Sequence, residues 1–320
     1  MTLPSLFDWN GSLNTVAIGA TREEGGTRSV RYTIGGDADL PFFSGSGSGN
    51  RPLVAFEICD DPAIWSPIVA AAEGDVVNDV AEWARHAEQE HHPDLIRLNL
   101  NSTRRRGFSD FSGISRTVES VLLSTGLPLI IEGSIDPAID SDVFQRCGEA
   151  AEGERVLLGT AEAGRYRSIA AAAMAYHHPM IAQSPIDINL AKQLNILLRE
   201  IGVPSDRIVI DPYTGALGYG FEYSYSVMER IRFAALKGDA DLAMPVISAP
   251  TDSLNVKEVR ETPPGEQGQA AVMWEYASAL SAAVAGAAIV CVRHPGTIPL
   301  VKSSLAGLSE RRPASSAGGI

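Results

Sequence analysis

Short apolar runs alternate with longer amphipathic segments along most of the chain. Eight runs rich in β-branched residues follow one another: "PLVAFEI", "DLIRLNL", "LPLIIEG", "RVLLGTA", "PMIAQSP", "RIVIDPY", "LAMPVIS" and "AAIVCVR". Each is followed by apolar positions at helical spacing, from "VNDVAEWARHAEQ" after the first to "TIPLVKSSLAGL" after the eighth. This repetition predicts an α/β fold, a (β/α)8 TIM barrel. An open doubly wound sheet is less favoured, because its first βα turn is normally glycine-rich and "CDDPAIWSP" has no glycine.

The pattern divides the chain into three parts. Residues 1–50 form a β-rich N-terminal extension, with strand-like pieces "NTVAIGA" and "RSVRYTI" and a Gly/Ser loop. Residues 51–308 form the barrel, and residues 309–320 are expected to be a flexible tail. Since active and binding sites of such barrels lie in the loops that follow the strands, we expect function at those loops.

Composition and charge narrow the classes of function. The 320 residues carry a formal net charge of −13. Nucleic-acid binding is therefore not expected, because it draws on clustered Lys and Arg, and the basic run at 104–106 is short. The cysteines, Cys59, Cys147 and Cys291, are far apart and form no CxxC, so the chain is not expected to hold a metal or iron–sulfur cluster itself. Few cysteines and no secretory pattern predict a cytoplasmic protein.

The segment from Ala270 to Val292 is apolar enough to resemble a membrane span. It contains Glu275, is rich in alanine, and breaks at Gly286 into a β-branched run. These features favour a helix followed by a buried strand, because a charge within the bilayer is costly. We expect no membrane association.

The stretch "DPYTGALGYGFEYSYSVMERIR" follows the sixth predicted strand. Its Gly215, Gly218 and Gly220 match neither a phosphate-binding loop nor a dinucleotide fingerprint. Since glycine has no Cβ, this spacing indicates that the backbone closely approaches something flat or bulky. In the helix after them, Tyr223 and Val227 begin a stripe at helical spacing that predicts packing on the barrel.

Polar residues occur at the ends of the predicted strands. They are Glu57, Asp60, Asn99, Asn101, Glu132, Gly133, Glu162, Ser184, Asp187, Asp211, Thr214, Ser248, Arg293 and His294. Their amides and carboxylates suit a polar ligand with hydrogen-bonding edges. None forms a recognisable nucleophile constellation, and no catalytic residue is singled out among them. Asp187 also fits the N-terminus of a helix, where a carboxylate accepts backbone N–H bonds.

Three histidines, His86, His91 and His92, lie close together beside Glu88 and Glu90. A charge-rich helix end is usually solvated, and that interpretation is preferred here. No metal site is predicted.

The stretches that carry a family resemblance are the glycine stretch, "SPIDINLAKQLNILL", "IGATREEGGTR", "YTIGGDADLPFF" and "RHPGTIPLVK". In them the sequence resembles the small (delta) subunit of the corrinoid iron–sulfur protein of the CO dehydrogenase/acetyl-CoA synthase system. The resemblance spans Asn14 to Leu308. It implies a barrel like that of dihydropteroate synthase, paired with a large (gamma) subunit that carries a [4Fe–4S] cluster. A base-off cobamide (corrinoid) would be shared between the two subunits.

The resemblance also implies a role in the reductive acetyl-CoA (Wood–Ljungdahl) pathway. The cobalt would take a methyl group from methyl-tetrahydropterin, either a tetrahydrofolate or a tetrahydrosarcinapterin, through a separate pterin-dependent methyltransferase, and pass it to acetyl-CoA synthase. The cobamide-binding residues expected from position and resemblance are Asn99, Asp211, Thr214, Gly215, Gly218, Tyr219, Gly220, Ser248 and His294.

Two alternatives remain open. The barrel itself could bind methyl-tetrahydropterin and catalyse methyl transfer with Asn99, Asp187 and Asp211, or the chain could be a scaffold only. Tyr213 departs from the family pattern, D-P-T-T-G-A-L-G-Y-G, and the 249–262 segment also diverges. These departures put individual contacts in question.

Overall fold

The computed structural model describes residues 9–42, 50–134, 136–215, 217–218 and 220–309. Most of the predicted Gly/Ser loop, Tyr219 among the expected cobamide contacts, and all but the first residue of the predicted tail lie outside these residues.

The strands are short and almost wholly buried. They are β1 (Thr15–Ile18), β2 (Tyr32–Gly35), β3 (Leu53–Cys59), β4 (Leu95–Asn99), β5 (Leu129–Glu132), β6 (Leu157–Ala161), β7 (Met180–Gln183), β8 (Ile208–Asp211), β9 (Val246–Ser248) and β10 (Ala287–Val292). Strands β3 to β10 form a closed barrel of parallel strands, and β10 pairs with β3 to complete it. The predicted (β/α)8 barrel is confirmed.

Helices cover the outside of the barrel. They are α1 (Pro67–Glu73), α2 (Val80–His86), α3 (Phe111–Ser124), α4 (Asp140–Ala150), α5 (Tyr166–Ala175), α6 (Ile188–Glu200), α7 (Phe221–Leu236), α8 (Lys257–Glu261), α9 (Gln267–Ala285) and α10 (Thr297–Ser309). The helix predicted at 77–89 after the first barrel strand is found as α2 followed by a π-helical turn at Ala87–His91, and α1 is an additional helix before it.

Alternation along the barrel strands separates two apolar layers. In β4, Ile96 and Leu98 face the helices, whereas Leu95 belongs to the interior cluster. The period of two follows from the pleat of a strand. Inward positions near the start of each strand are apolar, so the lower part of the barrel is a packed core.

The N-terminal extension closes the amino-terminal end of the barrel. Strands β1 and β2 pair antiparallel, and Val16, Ile18 and Ile34 belong to the same buried cluster as the barrel interior. The backbone N–H of Asn14 donates to Ala243 O at 2.6 Å, and that of Gly19 donates to Arg155 O at 2.9 Å. The extension therefore shares its core with the barrel.

The apolar C-terminal segment is a helix followed by a strand, as predicted. Helix α9 ends at Gly286, whose φ of +116° suits a residue without Cβ, and β10 follows at once. Glu275 in the middle of α9 is buried. Among the described residues, no helix is both long enough and apolar enough to cross a membrane.

Candidate functional site

The carboxyl-terminal part of the barrel interior is charged. Inward positions on three neighbouring strands carry Glu57, Arg97 and Glu132, and the guanidinium of Arg97 pairs with both carboxylates. From the end of β10, Arg293 Nη2 lies 2.7 Å from Glu57 Oε1 and donates to Thr251 Oγ1 at 3.0 Å. Glu57, Arg97, Glu132 and Arg293 therefore form one connected charge network at the mouth.

The network holds Glu57 in its ionised form. Burial acts to raise the pKa of Glu57, but the charges of Arg293 and Arg97 outweigh it and lower that pKa below its usual value. The Arg293 guanidinium also stacks on the ring of Trp65, 4.2 Å from its centroid. Since Glu57 accepts bonds from two fixed cations, its carboxylate is a structural anion.

Asp211, at the end of β8, is in a different environment. Burial raises its pKa to about 6, although Gln183 Nε2 and the backbone N–H of Tyr213 each donate to its carboxylate at 2.8 Å. Among the described ion pairs, none links Asp211 to a cation. The group can therefore change protonation near neutral pH.

The loop after β8 is held to the next strand by short hydrogen bonds. Thr214 Oγ1 lies 2.7 Å from Ser248 Oγ and accepts from the backbone N–H of Ala249 at 3.2 Å. On the helix side, Ser224 Oγ donates to Tyr213 O at 3.1 Å. Thr214 and Ser248, both predicted contacts, are thus brought together, and their hydroxyls already bond to each other.

The three glycines of the loop have local roles. A Cβ on Gly215 would lie 2.7 Å from the ring of Tyr213, which folds back over it. Gly218 has a φ of +87°, a conformation that other residues rarely adopt, while the buried Gly220 precedes α7 in extended backbone. Close approach at Gly215 is therefore to the loop's own tyrosine.

Several buried polar atoms near the strand ends, including Asn101 Oδ1, have no hydrogen-bond partner, and two of them bear on the proposed ligand site. One is Asn99 Oδ1 on β4, and the other is Ser184 Oγ just after β7. Asn99 is 3 % exposed and Ser184 is 2 % exposed. Since buried polar atoms are nearly always paired, these two are available to a ligand. Asn99 lies across the barrel from β8, four strands away in the closed order.

A cleft of about 390 Å³ opens between the ends of β6, β7 and β8. Its lining comprises Glu162, Ala163, Gly164, Gln183, Ser184, Pro185, Leu190, Leu194 and Tyr213. Tyr213 is 48 % exposed and Leu190 is 42 % exposed. The cleft therefore combines an apolar rim with the unpaired hydroxyl of Ser184.

Helix α7 corrects one expectation. Val227 and Ile231 are buried, as the predicted stripe requires, but Tyr223 is 64 % exposed. Its neighbours Phe221 and Ser224 pack inward, so Tyr223 lies on the solvent side of the first turn of α7. Tyr223 is instead an exposed aromatic in the helix that follows the glycine loop.

Two further predicted residues have separate positions. Asp187 caps helix α6, accepting from the N–H groups of Asn189 at 2.7 Å and Leu190 at 3.0 Å, as the helix interpretation predicted. His294 accepts at Nδ1 from the Gly296 N–H at 3.1 Å. Burial lowers the pKa of His294, and the charge of Glu73 opposes this shift. His294 is therefore near helix α1.

Sequence reasoning did not single out Arg97 or Gln183. Both lie two positions along the strand from an inward apolar residue, Leu95 and Ile181 respectively. A polar or charged residue at an inward position of an otherwise apolar strand was the available signal, because period two assigns its side chain to the interior.

Comparison with known proteins identifies the family over most of the chain. A family model described as CO dehydrogenase/acetyl-CoA synthase delta subunit matches residues 15–289. The chain belongs to this family. The delta 1 subunit of the acetyl-CoA decarbonylase/synthase complex from Methanosarcina thermophila is 34% identical, covering 94% of this chain and 73% of the relative. The delta subunit from Archaeoglobus fulgidus is also 34% identical, covering 93% of this chain and 69% of the relative.

Solved structures share the fold of this delta subunit. A dihydropteroate synthase from Xanthomonas albilineans, in complex with indole-2-carboxylic acid and 6-chloroguanine, has a TM-score of 0.57 at 17% identity, covering 82% of this chain and 95% of that one. A Yersinia pestis dihydropteroate synthase with a sulfonamide drug complex has a TM-score of 0.59 at 16% identity, with the same coverage. At this identity the likeness concerns the barrel alone, and the predicted fold type is confirmed.

Proposed function

We propose that this delta subunit covers a cobamide held against a partner large (gamma) subunit, within an acetyl-CoA decarbonylase/synthase complex. The observation that carries the proposal is family membership over almost the whole chain. A bound cobamide would supply the methyl chemistry, as the carrier of a methyl group between methyl-tetrahydropterin and acetyl-CoA synthase. The protein has only to bind, orient and shield such a cofactor.

The residues at the barrel mouth fit a cobamide. The rim of a corrin carries amide side chains, which both donate and accept hydrogen bonds. Asn99 Oδ1 and Ser184 Oγ are buried without partners, so each offers a hydrogen bond at no cost to the fold. Tyr213 and Tyr223 add exposed aromatic surface for a broad apolar ligand.

Within this proposal, the expected contacts divide by role. Asn99 and the backbone near Gly218 and Gly220 would meet the corrin rim, while the Thr214–Ser248 hydrogen bond would hold the loop in position. Asp211 would hydrogen-bond to an amide group of the corrin rim. As a carboxylate it would accept from the amide N–H, and as a carboxylic acid it would donate to the amide oxygen; both forms are accessible near neutral pH because burial raises its pKa to about 6. Tyr219 and His294 stay predicted contacts.

The thiols of this chain are unsuited to an iron–sulfur cluster. Cys59, Cys147 and Cys291 are all buried, and burial raises the pKa of each thiol. Cluster ligands must be thiolates. The [4Fe–4S] cluster is accordingly proposed for the gamma subunit, with a pterin-dependent methyltransferase and acetyl-CoA synthase as further partners, in the cytoplasm and in the Wood–Ljungdahl pathway.

A second candidate function is supported by the cleft. Its volume of about 390 Å³ is in the range of small-molecule sites, and Gln183 and Asp211 are joined beside it. An amide next to a carboxylate suits the donor and acceptor edge of a pterin. In this alternative the barrel itself binds methyl-tetrahydropterin and catalyses the methyl transfer.

Co-expression of this chain with its candidate gamma subunit tests both proposals. The purified pair is expected to retain stoichiometric cobalt and a corrinoid visible spectrum, while either chain alone retains little. Replacing Asn99 by Leu together with Ser184 by Ala is expected to reduce the retained cobalt, and Leu123→Ala, a surface change on α3, is the matched control.

Three results distinguish the alternatives. Undiminished cobalt in the Asn99/Ser184 variant, and also in a variant with the 214–220 loop replaced, would favour a scaffold. Tight calorimetric binding of methyl-tetrahydrofolate by this chain alone, with no cobamide retained by the pair, would favour the pterin barrel. Cobalt lost from the variant pair with the heterodimer intact on gel filtration would support the corrinoid proposal.

A further inference from the structure

Two histidines and a glutamate converge outside the loops that carry the predicted cobamide contacts. Glu73 is the last residue of α1, His86 ends α2, and His91 ends the π-helical turn. One ligand atom from each lies within 4.8 Å of the other two. We propose that these three side chains form a binding site for a divalent first-row transition-metal ion such as Zn²⁺.

The distances between the side chains match those around a metal. His91 Nε2 is 3.0 Å from Glu73 Oε1 and 3.2 Å from Oε2, and His86 Nε2 is 3.6 Å from Oε2. Neighbouring ligands of a tetrahedral ion with bonds of about 2.0–2.1 Å lie about 3.3 Å apart. Both imidazoles therefore direct Nε2 at the same carboxylate with room for one ion between them.

The carboxylate of Glu73 is the second observation that indicates a ligand. Its side chain is 0% exposed, and Oε1 has no hydrogen-bond partner. Within the described ranges its ion-pair neighbours are His86 and His91, with no lysine or arginine among them. A buried carboxylate with no permanent cation beside it is stabilised when an ion binds.

His294 is a further histidine close to Glu73 and His91, and its Nδ1 accepts from the Gly296 N–H at 3.1 Å. The acidic and histidine side chains that neighbour His86 and His91 in sequence do not compete for the ion. Glu88 accepts from Thr125 Oγ1 at 2.7 Å and from the Gly126 N–H at 2.9 Å, so it is engaged elsewhere. Glu90 and His92 are exposed. The histidines and glutamates that are close in sequence therefore separate in the structure. His86 and His91 pair with Glu73, whereas Glu88, Glu90 and His92 do not.

The chemistry of the three ligands selects the ion. Two imidazoles and one carboxylate with an open fourth position are typical of Zn²⁺ and other first-row ions, whereas Mg²⁺ prefers oxygen ligands. The side chain of His86 is 36% exposed, which provides a route for entry. Its ring lies perpendicular to that of His91, with centroids 5.1 Å apart. A bound ion would join α1 to the turn that precedes β4.

Calorimetry with ZnCl₂ tests the site, using untagged full-length protein freed of metal with a chelator. We expect one saturable equivalent of Zn²⁺, an increase in Tm on addition, and no response to MgCl₂. Co²⁺ is expected to give the intense visible absorption of a four-coordinate ion. Since loss of an outer-shell partner alone costs about 10–100-fold in affinity, Glu73→Gln and His86→Ala should each weaken Zn²⁺ binding by more than about tenfold.

His92→Asn is the matched control, because His92 is adjacent in sequence, exposed, and in a left-handed conformation that Asn tolerates. It should bind Zn²⁺ as the unmodified protein does. Should Glu73→Gln fail to fold, the half-exposed His86→Ala decides. Absence of a saturable equivalent, or equal affinity in His86→Ala and His92→Asn, would overturn the proposal and leave a histidine–carboxylate hydrogen bond.

Discussion

The two ends of the barrel interior differ in polarity: the amino-terminal end is apolar and the carboxyl-terminal end is charged. At the amino-terminal end, the β1–β2 hairpin inserts Val16, Ile18 and Ile34 into the interior, and its backbone bonds to the loops before β5, β6 and β9. At the carboxyl-terminal end, inward positions carry charges, with Arg97 between two glutamates. One end is closed by apolar packing, and the other is lined by charged and polar side chains.

This difference assigns stability to the amino-terminal end of the barrel and ligand binding to the carboxyl-terminal end. Apolar packing at the closed end is non-directional and excludes water without needing a partner. The mouth has buried polar atoms that lack partners, on Asn99 and Ser184. A fold that seals only one end can keep the other polar for a ligand, as TIM barrels generally do.

The largest effect is expected from the mouth. Arg97→Met removes the cation that lies between Glu57 and Glu132, leaving buried carboxylates partly uncompensated. The free energy of unfolding should fall by about 3–5 kcal/mol, measured by urea denaturation. Arg105→Met, which breaks an ion pair whose arginine side chain is 69% exposed, should cost less than about 1 kcal/mol. Equal losses would mean that the buried network contributes no more to stability than an exposed ion pair does.

The closed end is tested by Ile34→Ala. Ile34 is fully buried between the hairpin and the barrel interior, so the cavity should cost about 2–5 kcal/mol in the same urea experiment. Leu123→Ala is the control, since Leu123 is 90% exposed and should change stability little. A hairpin that merely lies on the surface would give the two variants the same stability.

A pH effect is expected at the closed end, from His178 just before β7. Burial lowers the pKa of His178 to about 4, and its Nε2 lies 3.1 Å from Gly148 O. Between pH 6.5 and pH 4 the unfolded chain binds this proton while the folded chain does not, so stability falls as the pH is lowered. At pH 5 the loss relative to pH 7 is about 2 kcal/mol.

Comparing the unmodified protein with His178→Gln isolates that contribution. The variant keeps a donor for the Gly148 carbonyl but has no titrating ring, so its urea midpoint should change less between pH 7 and pH 5. Identical pH dependence in the two proteins would show that His178 is protonated at the same pH in the folded and unfolded chains.

The smallest effect concerns a helix start at the mouth. Asp187→Ala removes the two N-cap bonds of α6 and should lower the free energy of unfolding by about 1 kcal/mol, measured by thermal denaturation. Asp187→Asn retains an acceptor and should lose less. If both variants lost activity in a pterin assay while keeping their stability, Asp187 would belong to the binding site after all.

Local sequence patterns predicted the elements well. The eight β-branched runs became the eight barrel strands, and Asp187 caps a helix as its position indicated. Period two and N-cap chemistry depend on neighbours within a few residues, so they can be read from the chain directly. Tyr223 fitted the helical stripe but is exposed, because helical spacing alone does not show which side chains the barrel covers.

The connections within the sites could not be predicted in this way. Glu57 and Arg293 are 236 residues apart in the chain and meet only because β10 pairs with β3. Thr214 stays a predicted ligand contact, and the bond of its hydroxyl to Ser248 on the next strand is visible only in the folded chain. Similarly, His91 is next to His92 in sequence but forms its cluster with Glu73.

The sequence by itself determined the barrel, its strand and helix order, and the end at which polar side chains collect, because these follow from local periodicity and the direction of parallel strands. Only the tertiary structure decided which charges neutralise each other, which polar atoms stay without partners, and that Glu73 joins two histidines. Those outcomes depend on closure of the barrel and packing of the helices, which bring together groups that local periodicity does not relate.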